Sequence, residues 1–314
     1  MDAHIQDILV LVLAVSLDVG MGEMPSAVHP VVAMGGLLSF GFRRTSSHAK
    51  TLSFLQGCIV VVLVAGVFGA AAYVTLYYAR MASPIVYLVA GAVLLKSSFS
   101  VRGLGAAAAR VRKALSCNDL DGARREVRSL VSRDTAALGA HGVVGAAVES
   151  VAENTSDSFV APVFYFLLFG IPGAVVYRVF NTADAMVGYH GKFEYLGKGP
   201  ARIDDALNFL PARITGLLLV IASLVARANP MRAWRIMRRD HGRTESPNAG
   251  WPMAAMAGSL DVRLEKTGHY QLGDAGEALM PDHITRSVQL MGLAVGFWVL
   301  TGIVTKAAQY AIAA

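Results

Sequence analysis

Hydrophobic and polar residues alternate along this chain in long blocks, not in the short periods of a soluble amphipathic helix or strand. About 20 uncharged residues carry a helix across a hydrocarbon core. Residues 51–79, between Lys50 and Arg80, meet that length, as do 158–177, between Asp157 and Arg178, and 287–305, between Arg286 and Lys306. The first of these has no polar face to offer water, which excludes an ordinary soluble core helix. Shorter apolar runs occupy 8–17, cut by Asp18, 81–95, bounded by Arg80 and Lys96, and 214–226, between Arg213 and Arg227. These span if their flanking charges snorkel or face a polar cavity. The pattern predicts an all-α polytopic membrane protein with four to six crossings, in one membrane-embedded domain over 1–314.

Polar stretches at 22–50, 96–157, 179–213 and 227–286 separate the apolar runs and must hold any aqueous chemistry. Residues 100–135 carry eight Lys or Arg against four acids, and 227–243 carry six Arg against one acid. The positive-inside tendency places the 96–157 and 227–286 loops in the cytoplasm of a multi-pass cell-membrane protein. Within the first, 106–115 and 119–131 read as a helical pair with Asn118 or Asp119 as cap, and its arginines suit either anionic lipid or substrate. One crossing per segment sends 179–206 to the far side, although that stretch is chemically loaded. The run Gly170-Ile-Pro172-Gly173 interrupts the preceding segment and points to a broken helix lining a cavity.

Composition agrees with the pattern. Of 314 residues 54% are hydrophobic and 16% charged, and the mean hydropathy is +0.50. Asp2 and Asp7 stand where a secretory signal would be basic, so the first segment reads as retained. Two cysteines, Cys58 and Cys117, offer neither metal spacing nor a disulfide framework. Arginine-rich loops without a nucleic-acid-binding motif give no reason to expect DNA or RNA as partner.

The densest polar cluster is Glu149-Ser-Val-Ala-Glu153-Asn154-Thr-Ser-Asp157-Ser158. On a helix, Glu149 and Glu153 share a face, with Asp157 a turn further on. Carboxylates at that spacing repel unless a cation joins them, so the ladder suits Mg²⁺ or acid–base work; its bland reading is a capped helix start with a solvated acidic face. A second cluster holds Asn181, Asp184, Lys192, Lys198, Arg202, Asp204, Asp205 and Arg213. Lys192 and Lys198 lie in a Gly-rich stretch whose amides and ammonium groups suit phosphate, and Asp204 beside Asp205 suits a metal; an ordinary polar loop is the alternative. The P-loop pattern is absent. Asp18, Glu23 and His29-Pro30 border the first apolar segment, where an interrupting charge is a functional hypothesis by default. Ser246-Pro-Asn248-Ala-Gly-Trp251-Pro252 specifies a fixed turn whose Trp251 suits either a macrocycle wall or an interfacial anchor.

Several of these runs resemble the CobD/CbiB family of cobalamin biosynthesis. They are Glu149 through Pro162, Tyr177-Arg178 with Asn181-Thr-Ala-Asp184, Ala201-Arg-Ile-Asp204-Asp205 with Asn208 and Pro211-Ala-Arg213, Ser246 through Met253, and the early Asp18, Gly22-Glu23, His29-Pro30 series. The resemblance covers nearly the whole chain in order. It implies an adenosylcobinamide-phosphate synthase, a carbon–nitrogen ligase that joins adenosylcobyric acid to (R)-1-amino-2-propanol O-phosphate or ethanolamine phosphate, with ATP as co-substrate and Mg²⁺ alongside. Glu149, Glu153 and Asp157 are then candidates for catalysis. Asp184, Asp204 and Asp205 are candidates for metal. Lys192, Lys198, Arg202 and Arg213 suit phosphates, Asn154, Asn181 and Asn248 suit orientation, and Trp251 suits the corrinoid. The expected partners are the corrinoid, the amino-alcohol phosphate and membrane lipid, with self-association left open. A corrinoid transporter or binding protein, or an AmpE-like signalling protein, would use the same scaffold without the reaction.

Overall fold

A computed structural model of the protein describes residues 2–45, 49–187 and 194–313. Six helices are long and apolar enough to cross a membrane: Ala3–Met21, Lys50–Ala82, Pro84–Ser116, Ala140–Val187, Tyr195–Val225 and Pro281–Ile312. Each overlaps one of the six apolar runs in the sequence; the 81–95 run is broken at Ser83, and the Pro84–Ser116 stretch is interrupted at 97–100. The chain is an all-α polytopic membrane protein with one short β-hairpin among the described residues.

It divides into two compact units, each discontinuous in sequence. The first comprises Met1–Ser100, Ala161–Asn208 and Val299–Ala314, and the second Val101–Val160 and Phe209–Trp298.

In the first unit, α1 (Ala3–Met21) starts where the Asp2 carboxylate accepts from the His4 amide at 2.8 Å. Its buried face is the four-residue series Gln6, Val10, Ala14, Asp18, with Leu11 alongside. That face meets α4 (Pro84–Lys96), which approaches closely because Gly91 has no side chain to strike Val10 or Ile171. Helix α2 (Pro30–Arg44) begins with His29 as its cap and Pro30 in the first turn, and buries Met34, Leu38 and Phe42. Helix α3 (Lys50–Ala82) buries Gly57, Val61, Val64, Ala65, Ala72, Leu76 and Ala79, and exposes Leu52, Leu55, Ile59, Leu63 and Val67 as an apolar outer face. Such a face is what lipid covers.

Helix α8 (Ala161–Val187) carries the predicted interruption. Gly170 takes φ 68° and ψ −167°, and Pro172 follows inside the helix. Proline removes one amide donor and crowds the preceding turn, and glycine tolerates the positive φ that results. Helix α9 (Glu194–Val225) crosses α3 through small residues: a Cβ on Gly57 would strike the Leu196 carbonyl, and one on Gly199 would come within 2.5 Å of Cys58 Sγ. Lipid tails are as apolar as leucine, so such contact between backbones, not hydrophobic exclusion, holds membrane helices together.

In the second unit, α5 (Val101–Ser116) and α6 (Leu120–Val127) form the helical pair read from the sequence. Asp119 is the cap, accepting from the Gly122 amide at 2.7 Å. Helix α7 (Ala140–Thr155) is buried along its whole length from Val143 to Ala152, as expected of a central helix. It runs into a π-turn over Ser156–Val160. Helices α10 (Pro230–Asp240) and α11 (Gly250–Leu260) pack at a small-residue contact where Gly258 meets the Ala233 Cα. The hairpin pairs β1 (Leu264–Lys266) with β2 (Tyr270–Leu272) antiparallel, Leu264 opposite Leu272, and turns through Gly268 at φ 78°. Helix α12 (Pro281–Ala313) contributes Trp298, whose indole donates to the Val160 carbonyl at 3.1 Å. The stretches 96–157 and 227–286, read as polar loops, are therefore largely helical.

The α3–α9 crossing makes a testable prediction. Gly57→Ala forces α9 backbone to move and should cost about 1–3 kcal/mol, seen as a lower melting temperature in detergent; Gly66→Ala on the same helix has open space around it and should change little.

Candidate functional site

The first unit carries two polar groups. In one, Lys96 is 2% exposed and its ammonium lies 3.0 Å from the Asp18 carboxylate, itself 1% exposed. The sequence had placed the two residues as breaks in separate apolar runs; the fold pairs them. Glu23 stands 3.8 Å from the same ammonium and 3.3 Å from His29 Nε2. The Val31 amide donates to His29 Nδ1 at 3.2 Å, so that nitrogen carries no proton and Nε2 donates to Glu23.

The other group lies on α8 and α9. The Asp204 carboxylate accepts from Asn208 Nδ2 at 2.9 Å and from Asn181, and has Asp184 and Asp205 as neighbours. Asn208 is oriented by the Tyr177 hydroxyl, which donates to its Oδ1 at 2.8 Å. Tyr177 in turn stacks on Tyr165 with ring centroids 5.2 Å apart. Arg178 donates to Asn181 Oδ1 at 3.0 Å. Among the described residues, only acids and amides act on Asp204 at close range, and its buried Oδ1 has no hydrogen-bond partner. The fold thus brings Asn181, Asp184, Asp204 and Asp205 together as expected. Among the described residues no group of three or more His, Cys, Asp or Glu closes a metal cage by itself. Magnesium takes one or two carboxylates and completes its shell with water and substrate phosphate.

The phosphate candidates are less concentrated. Lys192 lies outside the described residues. Lys198 is exposed, 4.8 Å from the centre of the Tyr195 ring, and Arg202 is exposed, 5.9 Å from the Phe54 ring.

In the second unit, Glu149 is buried and paired with Arg133 at 2.8 Å. Glu153 and Tyr270 face the same pair, and burial, with the Glu149 carboxylate next, pushes the Tyr270 hydroxyl above its ordinary range. Asp157 does not continue the carboxylate ladder in α-helical register, because the helix changes to a π-turn at Ser156. Asn154 spends its amide locally: Nδ2 donates to the Ser150 carbonyl and hydroxyl at 3.0 and 3.1 Å, and Oδ1 accepts from Ser158 at 3.1 Å.

Trp251 packs inside this unit, edge-on to His241 at 4.0 Å, with the Arg213 guanidinium 4.8 Å from its ring centre. Arg213 also lies 3.5 Å from the Asn248 carbonyl oxygen and over the Phe209 ring. Burial, then the Arg213 charge, holds His241 below its ordinary value. Sequence reasoning missed Lys96, Arg133, Tyr270 and the Asp240 network. For Lys96 a signal existed: opposite charges interrupting two apolar segments are each other's natural partners.

Six spanning helices with buried carboxylates, amides and arginines define an integral membrane protein whose ionisable groups are built into its helices. The chain belongs to the CobD/Cbib protein family, which it matches over residues 11–291. It is 47% identical over 296 residues to the cobalamin biosynthesis protein CobD of Dehalococcoides mccartyi strain CBDB1, covering 94% of this chain and 96% of that one. It is 41% identical over 288 residues to a probable cobalamin biosynthesis protein CobD of Methanothermobacter thermautotrophicus, covering 91% and 94%. A protein of Thermococcus kodakarensis with the same description is 40% identical over 289 residues, covering 92% of each chain. No solved structure matches the chain.

Two predictions follow from the ion pairs. Lys96→Met removes the ammonium 3.0 Å from the buried Asp18 carboxylate and should cost about 3–5 kcal/mol, whereas the double variant Asp18→Leu with Lys96→Met should recover most of that loss; chemical unfolding in micelles reads both.

Asp240 is fully buried between Arg239 at 2.7 Å, Arg243 at 3.2 Å and the Gly273 amide at 2.8 Å. Burial raises its pKa, but the hydrogen bonds from Arg239 and Gly273 outweigh that and leave it below the ordinary 3.8. A lowered carboxyl pKa stabilises the fold above the ordinary value, and that stability disappears as pH falls through the lowered one. Asp240→Asn should therefore cost about 1.5–3 kcal/mol at neutral pH. Melting curves of variant and wild type should converge on acidification below about pH 4.

Proposed function

We propose that this protein is a biosynthetic ligase that forms an amide between the free carboxyl of adenosylcobyric acid and the amine of (R)-1-amino-2-propanol O-phosphate or ethanolamine phosphate, at the expense of ATP. Membership of the CobD/Cbib family and the names of the relatives support a place in cobalamin biosynthesis. The observation that supports the phosphoryl-transfer chemistry is the Asp184, Asp204 and Asp205 group, where Asp204 is supplied, among the described residues, with amide donors and acidic neighbours. Carboxylates that raise one another's pKa are favourable when a metal joins them.

A carboxylate is a poor electrophile, and the reaction needs its oxygen converted into a leaving group. In the proposed course, a carboxyl oxygen of the corrinoid attacks the terminal phosphorus of ATP and ADP departs, leaving an acyl phosphate. The amine nitrogen then attacks the carbonyl carbon, and inorganic phosphate leaves with the former carboxyl oxygen. Asp184, Asp204 and Asp205 would hold Mg²⁺, for which the unpartnered Asp204 Oδ1 and the all-oxygen donor set are suited. Bound with nucleotide, that ion offsets the phosphate charge. The Asn181 and Asn208 amides hold Asp204 in one orientation. The attacking amine must be unprotonated, for which Glu149 or Glu153 is the candidate base; in the second unit Glu149 is paired with Arg133 and Glu153 lies beside it. Arg213 is the proposed phosphate contact, with Asn248 and Trp251 setting its position.

Purified protein in lipid nanodiscs, given adenosylcobyric acid, aminopropanol phosphate, ATP and Mg²⁺, should yield the amide by mass spectrometry. Asp204→Asn should lose roughly two to three orders of magnitude in rate, of the size seen when electrostatic stabilisation is removed, while keeping its melting profile. Folded wild type that binds corrinoid but gives no product with either amino-alcohol phosphate would overturn the proposal.

A further inference from the structure

Helix α10 packs against α11 with one side and turns a different chemistry outward. Ala233, Ile236, Met237 and Asp240 are buried, whereas Met231 is 75% and Trp234 37% exposed, with Arg235, Arg238 and Arg239 exposed beside them. The helix's one acid, Asp240, is fully buried. Its outward side therefore carries guanidinium and apolar groups and contributes no carboxylate.

The depth of that side in the bilayer follows from α9, in the same unit. Leu217, Ile221, Leu224 and Val225 are exposed on α9 as far as its last residue, an apolar face that lipid tails cover. The turn after it is tight, with the Ala228 amide donating back to the Ser223 carbonyl at 2.9 Å. Asn229 then caps α10 by accepting from the Arg232 amide at 2.9 Å. Helix α10 thus starts at the level where the apolar face ends, which is the headgroup layer. Tryptophan and arginine side by side suit that layer, the ring lying toward the tails and the guanidinium toward the phosphates. Arg238 lies 5.8 Å from the centre of the Trp234 ring.

The turn contains an arginine where glycine is the usual residue. Three non-glycine residues among those described have positive φ, and two of them, Asn118 and Asp261, are of types that tolerate it; the third is Arg227 at φ 55°. Its charge suits the C-terminal end of α9 and, at the edge of the hydrocarbon, a phosphate. Other arginines here bind the chain to itself, Arg232 to Asp261, and Arg235 and Arg239 to Asp274 at 3.1 and 2.6 Å. Arg227 and Arg238 belong to none of those pairs.

We infer that the outward side of α10 is a binding surface for the headgroups of anionic phospholipids, with Arg227 at one end, Arg238 further along, and Met231 and Trp234 against the upper acyl chains. A zwitterionic headgroup adds a cation to a stretch that already carries six arginines, which favours the anionic lipid. The surface goes beyond the synthase reading and depends on no part of that reaction.

The test is quenching of tryptophan emission in full-length protein by brominated lipids, in nanodiscs of phosphatidylcholine with phosphatidylglycerol added. Brominated phosphatidylglycerol should quench the wild type more than brominated phosphatidylcholine does, and Trp234→Phe should remove most of the quenched emission. Arg238→Gln should lower the preference for phosphatidylglycerol by roughly fivefold, and Arg238→Lys should keep most of it. Arg227→Gly relieves the backbone, so it should raise the melting temperature while lowering the preference; greater stability with weaker lipid selection separates the lipid contact from folding. Arg125→Gln with Arg128→Gln removes exposed charge from α6 instead and should leave the preference unchanged. Equal quenching by the two lipids in the wild type overturns the inference, as does quenching that persists in Trp234→Phe. A preference unchanged in both Arg227→Gly and Arg238→Gln, or lost equally on removing the α6 charges, also overturns it.

Discussion

Lys96, 2% exposed at the end of an apolar helix, is held against Asp18 3.0 Å away on another. Water does not reach either charge, so each needs groups of opposite sign close by, and the two supply that to one another. That requirement fixes the rotation of α1 against α4 and makes the series Gln6, Val10, Ala14, Asp18 the inward face of α1. Glu23, just past the end of the same helix, stands 3.8 Å from that ammonium and 3.3 Å from His29 Nε2.

The same constraint separates the protein's two carboxylate groups by role. Glu149 is answered from within the chain by Arg133 at 2.8 Å. Asp204 is answered by amides, with Asp184 and Asp205 adding charge of the same sign. An acid with its own arginine is already neutralised, whereas an acid beside others of its own sign gains from a nearby cation. This contrast places the proposed metal–phosphate work on α8 and α9. The tyrosine stack, the Tyr177 hydroxyl and Asn208 then serve to hold Asp204 still.

Much of this was legible in the sequence, for identifiable reasons. Long uncharged runs such as 51–79 can do little else than span, and the Gly170 and Pro172 pair can do little else than interrupt a helix. The Asp119 cap follows from local spacing, whereas the meeting of Asn181 and Asp184 with Asp204 is a contact between α8 and α9. Partners distant in sequence were not legible. Arg133 reads as one basic residue among many in a charged stretch, yet it is the one that meets Glu149. Asp157 reads as the next rung of a ladder, and a π-turn, which no short-range pattern announces, takes it out of register. Trp251 reads equally as anchor or wall, and only the packing shows it held between His241 and Arg213. Lys192 lies outside the described residues.

The central claim is that a carboxyl oxygen of the corrinoid is made into a phosphate leaving group. Adenosylcobyric acid labelled with heavy oxygen in its free carboxyl, turned over with ATP and the amino-alcohol phosphate, should place one labelled oxygen in the inorganic phosphate released for each amide formed. Amide formation with all of the phosphate unlabelled would contradict the account.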